Sequence, residues 1–371
     1  MTTMNRRLLQ PGERIRVMVV DDSVVIRRLV TQALEQDPVL HVVGAASNGT
    51  IGLQRIPLLN PDVITLDIEM PEMNGLEMLR CIRRDYPLIR VIMFSTLTER
   101  GATITFEALA AGADDYVTKP TSGTSIAGSM SRLQSEMIPK VKQFFRFPGE
   151  TGSTNSAVAA PDWSKPSATQ PMAKTTTMKV APKVVVIGVS TGGPTARGAI
   201  LPQLPATFPL PILIVQHMPP LFTRMLAERL NSTCQLRVAE ASHGSLVEPG
   251  RMLVAPGDFH MRVVAGGGRP CVNLDQLPLQ NFCRPAVDAL FASSGEVFGG
   301  AVLAVILTGM GQDGLRGTGI LRAQGANVLA QDEASSVVWG MPGAVVNAGL
   351  ADRVLPLDDV VPEILRLAGR V

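Results

Sequence analysis

Two sets of residues in this sequence have the types and spacing of reaction chemistry. The first is acidic. Asp21 and Asp22 follow the apolar run Ile15–Val20, and Asp67 closes a second run at 62–66. Ser95 and Thr96 end a third at 90–94, and Lys119 follows a fourth at 115–117. Three carboxylates brought together repel one another and call for a hard cation, for which oxygen ligands of this kind suit Mg²⁺. Lys119 adds a point charge for a phosphoryl oxygen, and Ser95 adds a hydroxyl. One carboxylate could then attack a phosphoryl donor and become an acyl phosphate. Singly, each is an ordinary cap or loop residue. Their common placement after strand-like runs is the signal.

The second set begins with Gly188-Val189-Ser190-Thr191-Gly192, a G-x-S-x-G pattern after the apolar run Val184–Val189. Small residues around a serine permit a sharp turn that exposes Oγ. A tight structural turn is the plain alternative. A phosphate-cradling loop is a third reading, but the Gly-Lys-Ser/Thr of Walker A and G-x-G-x-x-G are both missing. Of the four histidines, His41 lies in the first half, and His243 and His260 lie in loop-like stretches. His217 follows the apolar run 212–215, where a fixed general base would sit. Asp313 follows the run 302–307 through the glycine-rich stretch Thr308-Gly309-Met310-Gly311-Gln312. It reads either as a helix N-cap or as the third member of a Ser-His-Asp triad. The chain order Ser, His, Asp differs from the Ser, Asp, His of the α/β-hydrolases.

These residues need elements to hold them. The 371 residues exceed one ordinary domain of roughly 100–200 residues. With 46% hydrophobic and 18% charged residues, each half can bury a core, which excludes a disordered or fibrous chain. Aromatics are 4%, so Val, Leu, Ile, Ala and Gly carry the apolar load, as in parallel sheets covered by helices. Residues 15–142 alternate five strand-like runs with helical spacing, which implies a doubly wound (βα)₅ parallel sheet. Residues 147–179 hold ten Ser/Thr, four Pro and two Gly, the composition of a flexible linker. Its expected reach is roughly 30 Å, and Trp163 stands alone within it. After it, strands are expected at 184–189, 212–215, 252–254 and 302–307. Helices are expected at 221–230, 285–298, 314–323 and 359–368. The second half is thus also α/β and doubly wound.

VMVVDDS, ITLDIEMPEMNG, MFST and YVTKP resemble the receiver domain of bacterial response regulators, over about residues 14–142. The resemblance implies that a histidine kinase phosphorylates Asp67. It also implies that Asp21, Asp22, Asp67 and the Glu69 carbonyl hold Mg²⁺, and that Lys119 contacts the phosphoryl group. Ser95 takes the switch-hydroxyl position, with Thr96 next to it, and Tyr116 takes the aromatic switch position. Residues 183–371 resemble the catalytic domain of the CheB family, the chemotaxis protein-glutamate methylesterases. The matching stretches are IGVSTGGP, VQHMPPLFTRMLAERL, VAPGDFHM, RPAVDALFASSG, LTGMGQDG and QDEASSVVWGMPGAVVNAGLAD. The implied catalytic residues are Ser190, His217 and Asp313, with the Met310 N–H as oxyanion donor. The implied substrates are methylated chemoreceptors, and deamidation of receptor glutamines is a second implied activity. No cofactor is implied for ester hydrolysis.

Other function classes fit less well. The net charge is +2, and residues 183–371 hold 14 Lys+Arg against 14 Asp+Glu, so no basic face marks a nucleic-acid partner. A nucleotide-binding enzyme lacks its lysine. A catalytically silent receptor-docking module would not need the complete triad. Cys81, Cys234, Cys271 and Cys283 form no C-x-x-C pair, which points to a reducing compartment. With no signal-peptide pattern and no apolar run long enough to span a bilayer, the expected location is the cytoplasm. Any membrane association is expected only through the receptors.

Overall fold

The computed structural model describes residues 7–96, 98–120, 126–148 and 180–369. Of the expected linker, 147–179, residues 149–179, with Trp163, lie outside the described residues.

The first unit runs β1 (Arg7–Leu8), β2 (Ile15–Val20), α1 (Val24–Leu34), β3 (Leu40–Ala46), α2 (Gly49–Leu59), β4 (Val63–Asp67) and α3 (Gly75–Asp85). It continues with β5 (Arg90–Ser95), α4 (Glu99–Ala110), β6 (Asp115–Thr118), α5 (Ile126–Lys142) and β7 (Phe145–Arg146). Five strands form one parallel sheet in the order β3-β2-β4-β5-β6. Strands β4 and β5 are buried along their whole length, so they read as unbroken apolar runs rather than alternating ones. Four helices begin on side-chain caps. Ser23, Asn48 and Thr98 each accept a first-turn N–H, and Asn74 forms a reciprocal capping box with Glu77. From β2 the chain goes to one side for β3 and to the other for β4. That reversal opens a crevice at the carboxyl ends of β2 and β4, where Asp21, Asp22 and Asp67 sit.

The unit extends beyond the expected 14–142 at both ends. β1 pairs in parallel with β7, and Leu9, Phe144 and Phe145 are buried with Val17, Leu133 and Val141. Two-residue strands carry no periodicity, so nothing in the sequence marks them.

The second unit runs β8 (Val184–Val189), α6 (Gly193–Ile200), β9 (Ile212–Gln216), α7 (Pro220–Thr233), β10 (Arg237–Glu240), β11 (Arg251–Val254), β12 (His260–Gly266) and β13 (Arg269–Asp275). Then follow α8 (Val287–Phe298), β14 (Val302–Ile306), α9 (Leu315–Ala323), β15 (Asn327–Gln331), α10 (Met341–Asn347), β16 (Arg353–Leu355) and α11 (Leu357–Ala368). Seven parallel strands order as β10-β11-β9-β8-β14-β15-β16. The four expected strands are four of these; β10, β15 and β16 are additional. β10 and β16 are short edge strands, partly exposed, and so lack the apolar run that marks a central strand. β12 and β13 form a separate antiparallel hairpin. It covers α8, and the Val263 N–H reaches the Ser293 hydroxyl at 3.0 Å. Helix α8 is therefore buried on nearly every side. The strand order reverses at β8 and β14, so a second crevice opens there.

The units pack face to face. Tyr116 of β6 stacks on Phe222 of α7, with centroids 4.8 Å apart and planes at 3°. Phe106 of α4 tilts against the same ring at 5.8 Å. The Thr191 hydroxyl donates to Asp115 at 3.0 Å, and Arg146 pairs with Glu333. The residue after Ser190 is therefore bonded to the first unit.

Candidate active site and acidic pocket

Ser190 follows β8, His217 follows β9, and Asp313 lies beyond β14. These three strands are adjacent in the sheet, and all three residues stand at one edge. The Ser190 N–H donates to Thr308 O at 3.0 Å, and Gly193 N–H donates back to Ser190 O at 2.9 Å, closing the turn. Gly192 holds φ +76°, and a Cβ there would come within 2.6 Å of Val337. Gly188 touches Val287, which a Cβ would meet at 2.4 Å. Both glycines of the pattern are thus required by the turn and by its packing.

His217 Nε2 lies 2.8 Å from Asp313 Oδ2. Asp313 is 2% exposed. Its carboxylate also accepts from Val287 N at 2.6 Å, Asp288 N at 3.1 Å, Gly314 N at 3.0 Å and Asn281 Nδ2 at 2.9 Å. Asp313 does not cap α9, which it precedes; the N-cap position there is Gly314, with no side-chain bond. It binds the N-terminus of α8 instead, where the helix dipole favours an anion. Burial opposes ionisation of Asp313, but His217 and these backbone donors outweigh it and hold the carboxyl below its ordinary value. Burial likewise opposes a charge on His217. Cys283 and Asp313 outweigh that and raise the imidazole above its ordinary value. A fixed carboxylate of this kind sets the tautomer and stabilises the imidazolium.

Among the described residues the Ser190 hydroxyl makes no hydrogen bond to His217. The other imidazole nitrogen, Nδ1, faces Cys283 Sγ at 3.5 Å. Two of the three expected residues are thus directly paired, and the third stands at the neighbouring strand end. Such contacts are often loose before substrate binds. Met310 is exposed, and its N–H lies beyond the end of β14. The alternative histidines serve the scaffold. His260 is fully buried, with Nε2 at 3.1 Å from Pro278 O and Nδ1 accepting from Ala286 N at 3.3 Å. His243 Nδ1 accepts from Leu274 N at 3.5 Å.

Three contributors were not singled out from the sequence: Asn281, Cys283 and Gln216. Asn281 Nδ2 bridges Asp313 and Asp288, and Gln216 Nε2 holds Ser190 O at 2.9 Å. The available signal for Gln216 was a polar residue ending an otherwise apolar strand. No comparable signal marks the loop residues.

A cavity of about 660 Å³ lies at the junction of the units, lined by His217, Cys283 and Phe282 on one side and Tyr116, Arg132 and Lys140 on the other. The first unit thus overlies the approach to His217.

In the first unit, the carboxylate oxygens of Asp21, Asp22 and Asp67 lie within 4.8 Å of one another. Lys119 Nζ is 2.9 Å from Asp21 and 2.8 Å from Asp67. Those two carboxylate oxygens are buried, and despite the ion pairs neither accepts a well-aligned hydrogen bond. All-oxygen donors with spare lone pairs fit a hard divalent cation. A cavity of about 270 Å³ opens over Asp67, lined also by Asp22, Glu69, Ser95, Thr96 and Lys119. The Ser95 hydroxyl is turned towards α4, where it accepts from Thr105 at 2.7 Å and donates to Gly101 O at 3.2 Å. Thr96 pairs with Thr98 at 3.2 Å. Tyr116 is buried against Phe222.

Burial, and then the Asp21 charge, push Asp67 up to about 6 against the pull of Lys119. The folded state keeps a proton that the unfolded chain releases near pH 4, so this group lowers stability as pH rises from about 4 to about 6. Asp67→Asn removes that charge. In chelator at about pH 7.5 its thermal midpoint should exceed that of wild type, and the gap should close towards about pH 4. A midpoint below wild type at about pH 7.5 would contradict the dominance of burial.

The CheB methylesterase family model matches residues 185–364, and the response regulator receiver domain model matches residues 17–129. The chain is 49% identical to a protein-glutamate methylesterase/protein-glutamine glutaminase of Nocardioides sp., covering 97% of this chain and 96% of the relative. It is 46% identical to one of Trichodesmium erythraeum, covering 96% of this chain and 99% of the relative. The crystal structure of the Thermotoga maritima CheB methylesterase catalytic domain is similar at 46% identity and a TM-score of 0.49, covering 51% of this chain and 100% of that one. Likeness to full-length relatives at this level, with both family models matched in this order, places the chain in the CheB family of protein-glutamate methylesterase/protein-glutamine glutaminases, which join a receiver domain to a methylesterase domain.

Proposed function

We propose that this chain hydrolyses γ-glutamyl methyl esters of chemoreceptors with Ser190, His217 and Asp313, under control of phosphorylation at Asp67. The observation that carries this reading is the His217–Asp313 pair at 2.8 Å beside the strand end that bears Ser190. Asp313 takes the Nε2 side of His217, so Nδ1 is the nitrogen that receives the Ser190 proton as Oγ attacks the ester carbonyl. The Met310 N–H donates to the oxyanion; one such donor is worth about 10²–10³ in rate. His217 returns the proton to the departing methanol. Water, deprotonated by the same nitrogen, then attacks the γ-glutamyl-serine ester; the acyl–Oγ bond breaks, His217 returns the proton to Ser190 Oγ, and glutamate is freed. With a glutamine substrate the same steps expel ammonia.

The proposed units are a receiver over 14–142, a linker over 147–179 and an esterase over 183–371, with 7–9 and 143–146 packed onto the receiver. Asp67 accepts the phosphoryl group from a chemotaxis histidine kinase. Asp21, Asp22, Asp67 and the Glu69 carbonyl would hold Mg²⁺, which when bound offsets the charge on the phosphoryl oxygens. Lys119 contacts that group, and Ser95 turns from Gly101 towards it. Tyr116 then loses its setting against Phe222. Among the described residues no helix is long and apolar enough to cross a membrane, and the proposed place of action is the cytoplasmic face of receptors.

The test is methanol release from methylated receptors by histidine variants. His217→Gln should lose activity by about 10⁴-fold or more, whereas His243→Gln should stay within about twofold of wild type. Equal losses in the two would refute the choice of base.

A further inference from the structure

We infer that His217 Nδ1 and Cys283 Sγ form a binding site for a soft divalent cation of the Zn²⁺ class, and that its occupation shuts the esterase reversibly. The blocking half of this inference rests on His217 being the general base; the binding half does not.

The donor pair is already at chelating distance. A tetrahedral zinc ion with Zn–N near 2.0–2.1 Å and Zn–S near 2.3 Å holds its nitrogen and sulfur about 3.5 Å apart. Here Nδ1 and Sγ are 3.5 Å apart, so an ion can bridge them without backbone movement. His217, Cys283 and Asp313 offer donor atoms that all lie within 4.8 Å. Asp313 is not the third ligand, because its two oxygens already receive His217 and four N–H donors. It serves as the outer carboxylate instead. A histidine that ligates a metal characteristically donates its other ring N–H to a carboxylate, which fixes the ring and makes the ligating nitrogen more basic. His217 Nε2 makes that bond at 2.8 Å.

Cys283 is held in place rather than swinging free. Gln280 and Cys283 exchange backbone bonds, Gln280 N to Cys283 O at 3.2 Å and Cys283 N to Gln280 O at 2.8 Å. Between them Asn281 and Phe282 take left-handed φ of 49° and 61°. That backbone is uncommon for non-glycine residues, and Asn281 is anchored by its bonds to Asp288 and Asp313. The cavity of about 660 Å³ beside the pair leaves room for water at the remaining coordination positions.

Donor softness separates this site from the acidic pocket. A nitrogen and a thiolate favour Zn²⁺, whereas the all-oxygen receiver pocket suits Mg²⁺. An ion on Nδ1 occupies the lone pair that must take the Ser190 proton, so turnover stops until the ion leaves.

The experiment uses the full-length chain in excess Mg²⁺, with Co²⁺ as the spectroscopic probe and Zn²⁺ as the competitor. Wild type should show a thiolate-to-cobalt charge-transfer band that Zn²⁺ removes. Cys283→Ala and His217→Gln should both lose the band, and Cys283→Ala should bind Zn²⁺ at least about tenfold more weakly. Zn²⁺ should inhibit methanol release by wild type, and chelator should reverse it. The Zn²⁺ concentration for half-inhibition should rise at least about tenfold in Cys283→Ala, each protein being compared with its own chelator-treated rate. No thiolate band in wild type, or an unchanged band in both variants, overturns the site. A band without inhibition leaves the site standing and overturns the role of His217 as base.

Discussion

Ser190→Ala should retain its fold and lose methanol release by about 10⁴–10⁶-fold, the range seen when the nucleophile of a triad is removed. The loss is large because, among the described residues, neither threonine hydroxyl beside Ser190 in the turn is placed to replace it. Thr191 is turned towards Asp115 of the receiver, and the Thr308 hydroxyl donates within the turn, to Thr191 O at 3.0 Å and Val338 O at 3.1 Å. Among the described residues the serine side chain itself makes no bond on which the turn depends. The turn is closed by the backbone of Ser190 and by Gln216. Thermal midpoint and methanol release measured on one preparation separate the two effects. A folded Ser190→Ala protein with turnover near wild type would refute the nucleophile. A protein that does not fold would show that the turn, not the hydroxyl, is what the serine supplies.

The second large effect belongs to Asp67. Acetyl phosphate with Mg²⁺ should label wild type, and Asp67→Asn should take up no label. Replacing Asp21 and Asp22 together by Asn should abolish Mg²⁺-dependent labelling, because two of the charged ligands proposed for the cation are gone. Asp22 is the more telling of the pair, since it is exposed and makes no bond to Lys119, whereas Asp21 also balances the Lys119 charge. Burial opposes the Lys119 cation, but Asp67 and Asp21 together hold its ammonium above the ordinary value. Lys119 therefore stays charged, as its proposed contact with the phosphoryl group requires. Label that persists in Asp67→Asn would move the acceptor elsewhere.

Much of this was legible because doubly wound sheets report their sites locally. β4 and β5 are buried on both faces, so each is a run of apolar residues, and the residue that ends the run is at the carboxyl edge where ligands bind. Asp67, Ser95 and His217 could be placed by that rule alone. Asp313 shows the limit of the rule. It could be placed near the edge, but its competing role as a cap was assigned to the wrong helix. The helix it binds, α8, begins 26 positions earlier in the chain, and only the fold brings the two together. Cys283 and Asn281 were opaque for the same reason: a loop of irregular backbone carries no period from which to read which side chain turns inward. Phe222 looks in the sequence like any apolar position of α7, and its partner Tyr116 is more than a hundred residues away. The hairpin β12–β13 was missed because its strands are partly exposed, show no regular alternation of burial and are glycine-rich at the turn.

The receiver and the esterase meet where both can be altered at once. Tyr116 and Phe106 press on Phe222, Asp115 holds Thr191, and the junction cavity leads to His217. Phosphorylation need only disfavour this packed arrangement. A coupling of about 1–3 kcal/mol changes the open population by roughly 5–150-fold. With 147–179 as the proposed tether between the units, moderate shortening should raise the effective concentration of one at the other and lower the unstimulated rate.

The most direct measurement of phosphorylation control is the initial rate of methanol release by the full-length chain. It uses one methylated receptor preparation at matched protein concentration, with and without acetyl phosphate and Mg²⁺, beside a fragment beginning at Lys183. The expected result is a rise of roughly 5–150-fold on phosphorylation in wild type, no rise in Asp67→Asn, and a fragment faster than the unphosphorylated full-length chain. A fragment no faster than that chain, with a rate that phosphorylation leaves unchanged, would contradict control of the esterase by the docked receiver.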